Sequence, residues 1–142
     1  MKVAVGAVRA GAGVRVSATL TPGAVGHGFP TGDLFRRLEL TVWPEAAPTQ
    51  TARIVYERRF GQRAGQPKTG AERYETADTR VGEDPMQTRT VDLVMPAGPG
   101  SGEEIGWRLE YLLMPRELAR RHAIDARENV TVLGEGRVPV TP

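Results

Sequence analysis

The chain has 142 residues and a mass of 15.4 kDa, which suits a single domain, 1–142, able to bury about 70% of the surface its unfolded form exposes. It contains no cysteine, so a disulfide framework, thiolate zinc sites, iron–sulfur ligation and a Cys nucleophile are all excluded. The formal net charge is only +2, with acidic and basic residues interspersed and no apolar run near the roughly 20 residues of a membrane span, so neither nucleic acid nor a membrane crossing is expected.

Short alternating segments separated by Gly and Pro recur from end to end, the pattern of an antiparallel sandwich or barrel. Lys2–Val8 is the first strand candidate, and its start reads as strand rather than as a charged leader segment followed by an apolar run. The sequence is therefore either cytoplasmic or a domain of a longer exported chain. An exposed edge at Lys2–Val8 can pair with another chain, which leaves self-association open. Gly13–Thr21 places Val14, Val16, Ala18 and Leu20 on one face and Arg15, Ser17 and Thr19 on the other. Leu38, Leu40 and Val42 repeat that period before Pro44 ends it. Ala52–Phe60 reads as one strand, with Ile54 and Tyr56 alternating against Arg53 and Val55.

From Gly61 to Pro85 the sequence is polar and rich in Gly, Thr, Glu and Arg, too long for a structureless connection and expected to cover a sheet edge or a site. Thr88–Met95 and Ile105–Met114 add two strands, the second with Trp107, Leu109, Tyr111 and Leu113 on one face. Pro115 stands where a helix can begin, and Arg116–Ala123 carries helix formers with Leu118 and His122 four apart. Asn129–Leu133 and Arg137–Val140 form the last strand, bulged or bent at Gly134-Glu135-Gly136. About seven strands and one short helix near 115–123 predict an all-β, immunoglobulin-like antiparallel sandwich.

The most specific segment is Gly26-His27-Gly28-Phe29-Pro30-Thr31-Gly32-Asp33, which sets one of two histidines on a stiff loop. Gly26, Gly28 and Gly32 let the backbone turn or approach another group closely, and Pro30 fixes φ, holds Phe29 extended and makes the Phe29–Pro30 bond a candidate for cis geometry. Thr31 and Asp33 can bond nearby amides and hold the loop in one shape. His27 then has two readings: it offers a ring nitrogen to a metal, a haem iron or a ligand, or it bonds to a backbone carbonyl and closes the turn. His122, beside Arg120 and Arg121, reads as a solvated surface residue unless the fold brings it to His27.

Signals for an enzyme are poor. The chain has no His-Glu-x-x-His, and its two serines, Ser17 and Ser101, lack a nucleophile elbow. Carboxylate pairs such as Glu103-Glu104 and Glu83-Asp84 read as solvated turn residues, since general-acid work needs burial or a matched neighbour. Gly26-x-Gly28-x-x-Thr31 lacks the third glycine of a dinucleotide loop. Asp78-Thr79-Arg80 can carry a structural ion pair that clamps a loop to a strand. A calcium site from Asp33, Asp78, Glu83 and Asp84 has no supporting repeat. Asn129-Val130-Thr131 matches a glycosylation sequon.

Thr21 through Asp33, with Arg36-Arg37-Leu38-Glu39-Leu40 after it, resembles the Gly-His-x-Phe-Pro-Thr-Gly stretch in the β-sandwich regions of multihaem c-type cytochromes. Asp78-Thr79-Arg80-Val81 followed by Thr88–Pro96 is similar to the family's Asp-x-Arg turn and the strand after it. The resemblance runs in order from the opening strand through Tyr111, although only the histidine loop is specific. It implies a non-catalytic accessory sandwich, a C-terminal domain or fragment of a periplasmic or extracellular chain, that packs on a haem-bearing domain or subunit. It further implies His27 as a haem ligand in trans, with Phe29, Pro30 and Thr31 beside the haem and Gly26, Gly28, Gly32, Asp33, Asp78 and Arg80 shaping the loop. The sequence departs from the family in having no Cys-x-x-Cys-His, so any haem c belongs to a partner or another domain. The competing reading is a cell-surface or periplasmic module that binds polysaccharide or protein, with His27 purely structural.

Overall fold

A computed structural model gives the architecture and describes residues 1–21, 23, 28–30, 35–61, 74–82, 87–94 and 103–142. Nine strands and two short helices lie among the described residues: β1 (Lys2–Ala10), β2 (Gly13–Thr21), β3 (Arg37–Pro44), β4 (Ala52–Tyr56), β5 (Arg58–Gly61), β6 (Tyr74–Asp78), β7 (Gln87–Val94), β8 (Glu104–Leu112), α1 (Arg116–Arg121), α2 (Ala126–Asn129) and β9 (Val130–Thr141). Seven strands form one sheet in the order β4-β3-β8-β9-β1-β2-β7, and β5 and β6 form a separate hairpin. β1 joins the two halves. It runs antiparallel to β2 along its whole length and parallel to β9 through Ala7↔Val140 and Val8↔Thr141. That switch lets the sheet fold over itself as an all-β sandwich, the β1–β2–β7 layer facing the β4–β3–β8–β9 layer. β4 and β7 meet at the far side, where the Arg89 guanidinium donates to the Val55 carbonyl at 2.7 Å.

The period-two pattern explains the core. Val14, Val16, Ala18 and Leu20 of β2 are buried together with Leu38, Leu40 and Val42 of β3, Ile54 and Tyr56 of β4, and Ile105 and Leu109 of β8. Each such aliphatic side chain contributes about 1.5–3 kcal/mol by leaving water. Trp107 and Tyr111 pack against this cluster from its margin. β9 is bulged just before the glycines where the bend is expected: its register with β8 slips between Leu109↔Gly134 and Glu110↔Val132 and leaves Leu133 without an opposite residue, while Gly134, Glu135 and Gly136 pair in unbroken order with Leu109, Arg108 and Trp107. The glycines of β9 serve Trp107: a Cβ on Gly136 would stand 3.1 Å from its indole, so the ring lies where a side chain would otherwise be.

Several boundaries differ from the sequence expectation. The strand expected over Ala52–Phe60 breaks at Glu57, because Thr79 occupies that position: its amide donates to the Glu57 carbonyl at 2.9 Å and its hydroxyl accepts from the Glu57 amide at 3.1 Å. β8 stops at Leu112, and Leu113 is exposed while Leu112 is fully buried, the reverse of the expected facing. The helices cause this reversal by roofing the outer face. Pro115 is the cap before α1 rather than its first residue, and a second helix, α2, occupies the start of the segment expected as strand from Asn129. The polar stretch after Gly61 contains β6, with 62–73 and 83–86 outside the described residues.

Candidate functional site

Strand register brings three connections to one end of the sandwich. Lys2 pairs with Thr21, Leu20 with Gln87, Arg37 with Leu112, Leu38 with Tyr56 and Leu112 with Val130. The segments 22–36, 57–86 and 113–129 therefore all leave from that pole, and Met1 lies there too. At the opposite pole β1 and β2 are joined by a tight turn in which Gly11 takes a positive φ of 59°.

Of the histidine loop, Gly28, Phe29 and Pro30 are described. His27, Gly26, Thr31, Gly32 and Asp33 lie outside the described residues. The Phe29–Pro30 bond is cis. Phe29 forms an isolated antiparallel bridge with Val81: its amide donates to the Val81 carbonyl at 2.8 Å, and the Val81 amide donates back at 2.9 Å. Its ring lies 6.0 Å from that of Tyr111, tilted by 32°. Pro30 and Val81 are both buried. The two segments that carried the family resemblance, distant in sequence, thus meet in space.

The partner turn is built around one carboxylate. Asp78 Oδ1 accepts from the Arg80 amide at 3.0 Å, an Asx turn, and Oδ2 accepts from Arg80 Nη2 at 2.6 Å. The side-chain bond from Arg80 is the chief reason that the Asp78 carboxyl is held below its ordinary range, while Asp78 raises Arg80. The guanidinium then lies over Gly28, where a Cβ would stand 3.2 Å from Arg80 Cζ. The bare backbone of Gly28 lets the guanidinium lie that close, and a side chain there would displace it by a few tenths of an ångström. Asp78 is committed to Arg80, and among the described residues no cluster of three His, Asp or Glu could hold a metal ion. Of the other calcium candidates, Asp33, Glu83 and Asp84 lie outside the described residues.

Helix α1 is fastened to the outer face of β3 and β8 by a charge ladder that the sequence reading missed. Arg116 Nε donates to Glu39 at 3.3 Å, and its Nη2 donates to Glu110. Arg37 bridges Glu57 at 3.1 Å and Glu39 at 3.8 Å. Glu39 and Glu110 are only 4% and 8% exposed, so these pairs work away from bulk water. The available signal was a Glu on the polar phase of each neighbouring strand, directly opposite one another at Glu39↔Glu110. Asn129 completes the roof: its Oδ1 accepts from the Met114 amide at 3.0 Å, and its Nδ2 donates to the Met114 carbonyl at 3.1 Å. Being 2% exposed and fully engaged, the sequon asparagine is a clamp rather than an accessible acceptor site. Glu103 is likewise not a free turn carboxylate, since it pairs with Arg9. His122 is exposed at the end of α1, where its amide donates to the Leu118 carbonyl at 3.1 Å.

No protein-family model matches the sequence, and no curated protein matches it. Among solved structures the chain is similar to a penta-haem cytochrome c552 from Thermochromatium tepidum, with a TM-score of 0.66 and 15% sequence identity. The likeness covers 95% of this chain and 38% of that cytochrome, so the chain spans well under half of that protein's length. At this identity the two share a fold.

Proposed function

We propose that this domain is a non-catalytic accessory sandwich of a multihaem cytochrome system, which packs by its three-connection pole on a haem-bearing domain or subunit. The observation that carries the reading is the correspondence of nearly the whole chain with one part of a penta-haem cytochrome. The meeting of Phe29 with Val81 and of Gly28 with Arg80 supports it, because the residues that resemble the cytochrome sandwiches then form one stiff support for the His27 loop. Without cysteine the chain cannot fasten a c-type haem, so the haem stays with the partner. When bound there, haem supplies the electron transfer. This chain's residues would exclude water from the contact, and the imidazole of His27 would be the group that holds the partner's haem iron. An exported setting, periplasmic or extracellular, follows from the same reading. The pairing of Glu39, Glu110, Glu103 and Asp78 with arginines supports a supporting rather than a catalytic role.

The experiment is a spectroscopic titration of the protein with a ferric haem peptide carrying one Cys-x-x-Cys-His site, compared with His27→Ala. The expected result is a low-spin shift of the haem bands that the variant loses. Unchanged spectra and affinity in the variant would remove the ligand role.

A further inference from the structure

We infer that β9 pairs edge to edge with β9 of a second copy of this chain, joining two sandwiches through one continuous sheet about a two-fold axis at Gly136. The strand is held by β8 along one side, but on its other side β1 meets it only at Val140 and Thr141. Among the described residues no strand takes that side before Val140. The Val140 amide donates to the Glu103 carbonyl at 2.9 Å, so Val140 turns its main chain toward β8. By strand alternation Arg137 and Glu135 turn theirs to the open side, where two amides and two carbonyls stand ready for another strand. The bulge at Leu133 bounds this run at one end and the contact with β1 at Val140 bounds it at the other. The open stretch is therefore Leu133–Pro139, and its midpoint is Gly136.

Charge and register select a second copy as the occupant. In an antiparallel pairing centred on Gly136, Glu135 of each copy stands opposite Arg137 of the other, and both residues present their main-chain groups to the seam. Main-chain bonds and cross-strand ion pairs then form together. Other registers fail. A slip by two residues sets Glu135 against Glu135 in one direction and Arg137 against Arg137 in the other, the latter with Pro139, which has no amide, opposite Glu135. A slip by one residue turns the amides of one copy away from the seam.

The side chains agree with this register. Arg108 Nε holds Glu135 at 2.9 Å and Arg137 Nη2 holds Glu45 at 3.2 Å, which sets both β9 charges on the outer face of the sheet. A row across the seam reads Arg108 and Glu135 of one copy, then Arg137 and Glu45 of the other, alternating in sign. The existing pairs are largely solvated and hold by about 1 kcal/mol or less, so each charge can turn to the seam at small cost. On the inner face Gly134 and Gly136 carry no side chain to keep a second strand away. At the ends, the pairing brings Val132 of one copy, 50% exposed, to where Val8 of the other, 46% exposed, flanks Thr141.

The test is sedimentation velocity of the full chain from about 10 μM to about 1 mM, the range in which a small edge interface associates. A reversible monomer–dimer equilibrium is expected. Arg137→Glu and Glu135→Arg each set like charges opposite one another and should weaken it about tenfold. Combining them as a charge swap should restore association to within about threefold, although the swap breaks the same contacts to Arg108 and Glu45 within the chain. Only pairing between copies gives that rescue. In the unaltered protein, amide exchange at Glu135 and Arg137 should slow as concentration rises, while Gly134 and Gly136 stay unchanged. Should a charge variant fail to fold by circular dichroism, this exchange pattern decides. A monomer over the whole range would overturn the inference, as would a dimer that both single variants leave intact, a folded charge swap that stays monomeric, or protection that rises at β4 or β7 instead. No haem enters the measurement, so its outcome is independent of the haem-partner reading.

Discussion

The two poles of the sandwich are made from the same strands yet finished differently. At one, a tight turn at Gly11 joins β1 to β2, and the Glu45 amide donates to the Glu104 carbonyl at 3.0 Å. The neighbouring cavity, between that turn and the end of β7, is a modest ≈ 250 Å³. At the other pole long connections are tied to one another by the Phe29–Val81 bridge, the Asp78–Arg80 pair, the Arg116 ladder and the Asn129 clamp. The first pole has ties of its own, Arg9 to Glu103 and Glu45 to Arg137 and Trp43, and its 95–102 connection lies outside the described residues. What sets the second pole apart is that its ties join connections far apart in sequence, Phe29 to Val81 and Met114 to Asn129, which holds a composite surface in shape where we place the partner.

Substitutions can break this contrast directly. Arg116→Met should have the largest effect: it leaves Glu110 buried without its cation and should destabilise the protein by about 3 kcal/mol in urea denaturation. The loss should concentrate in the roof, so amide exchange in 113–129 should accelerate more than in β2. A matched pair of glycine variants comes next. Gly13→Ala drives a Cβ to 2.4 Å from the Leu93 carbonyl oxygen, backbone that cannot yield without opening the β2–β7 pairing, and should cost about 2 kcal/mol. Gly28→Ala meets only the far end of the Arg80 side chain and should cost under about 1 kcal/mol, while still weakening haem-peptide binding. Equal losses at the two glycines would erase the distinction between a structural pole and a binding one.

Acid sharpens the comparison further. Asp78 is held below its ordinary 3.8 by the bond from Arg80, so the folded chain takes up this proton later than the unfolded chain. The stabilisation is complete above the unfolded value and is lost as pH falls through the folded one. Asp78→Asn should therefore cost at most about 1 kcal/mol at pH 7, since the pair is partly solvated, and the gap to the unaltered protein should narrow in melts as the pH falls below the ordinary carboxylate range. The smallest effect is expected in the core between the poles. Tyr56 is fully buried, its hydroxyl has no hydrogen-bond partner among the described residues, and burial pushes its phenol up to about 12 against the opposing Arg89. Tyr56→Phe should be neutral or stabilising by up to about 1 kcal/mol at pH 7. The native protein alone should lose stability as pH rises from about 10 to 12, because only its folded state still holds that proton.

How much the sequence discloses differs between these regions in the same way. β2 and β3 are legible because each buries one face and the period-two pattern reports it, whereas the slip in β9 falls at Leu133, one residue before the glycines that suggested it. The break at Glu57 is not, since the alternation runs on and the interruption comes from Thr79, remote in sequence. Leu112 and Leu113 exchange their expected roles because burial on the outer face depends on a roof of helices, which strand periodicity cannot report. α2 did leave a trace: Asp125 with Glu128 three residues on is capping-box spacing, overshadowed by the strand-like Val130-Thr131-Val132. For the site, sequence reading isolates the histidine loop and the Asp78-Thr79-Arg80 turn separately. Their junction rests on a two-residue bridge with no local signature.

The central claim, that the fastened pole receives a haem-bearing partner, is met most directly by amide chemical-shift mapping of the isotopically labelled protein titrated with the ferric haem peptide. The account predicts perturbations at Gly28, Phe29, Arg80, Leu118 and His122, with Gly11, Glu45 and Glu104 unmoved. Shifts confined to the Gly11 pole, or none at saturating peptide, would contradict it.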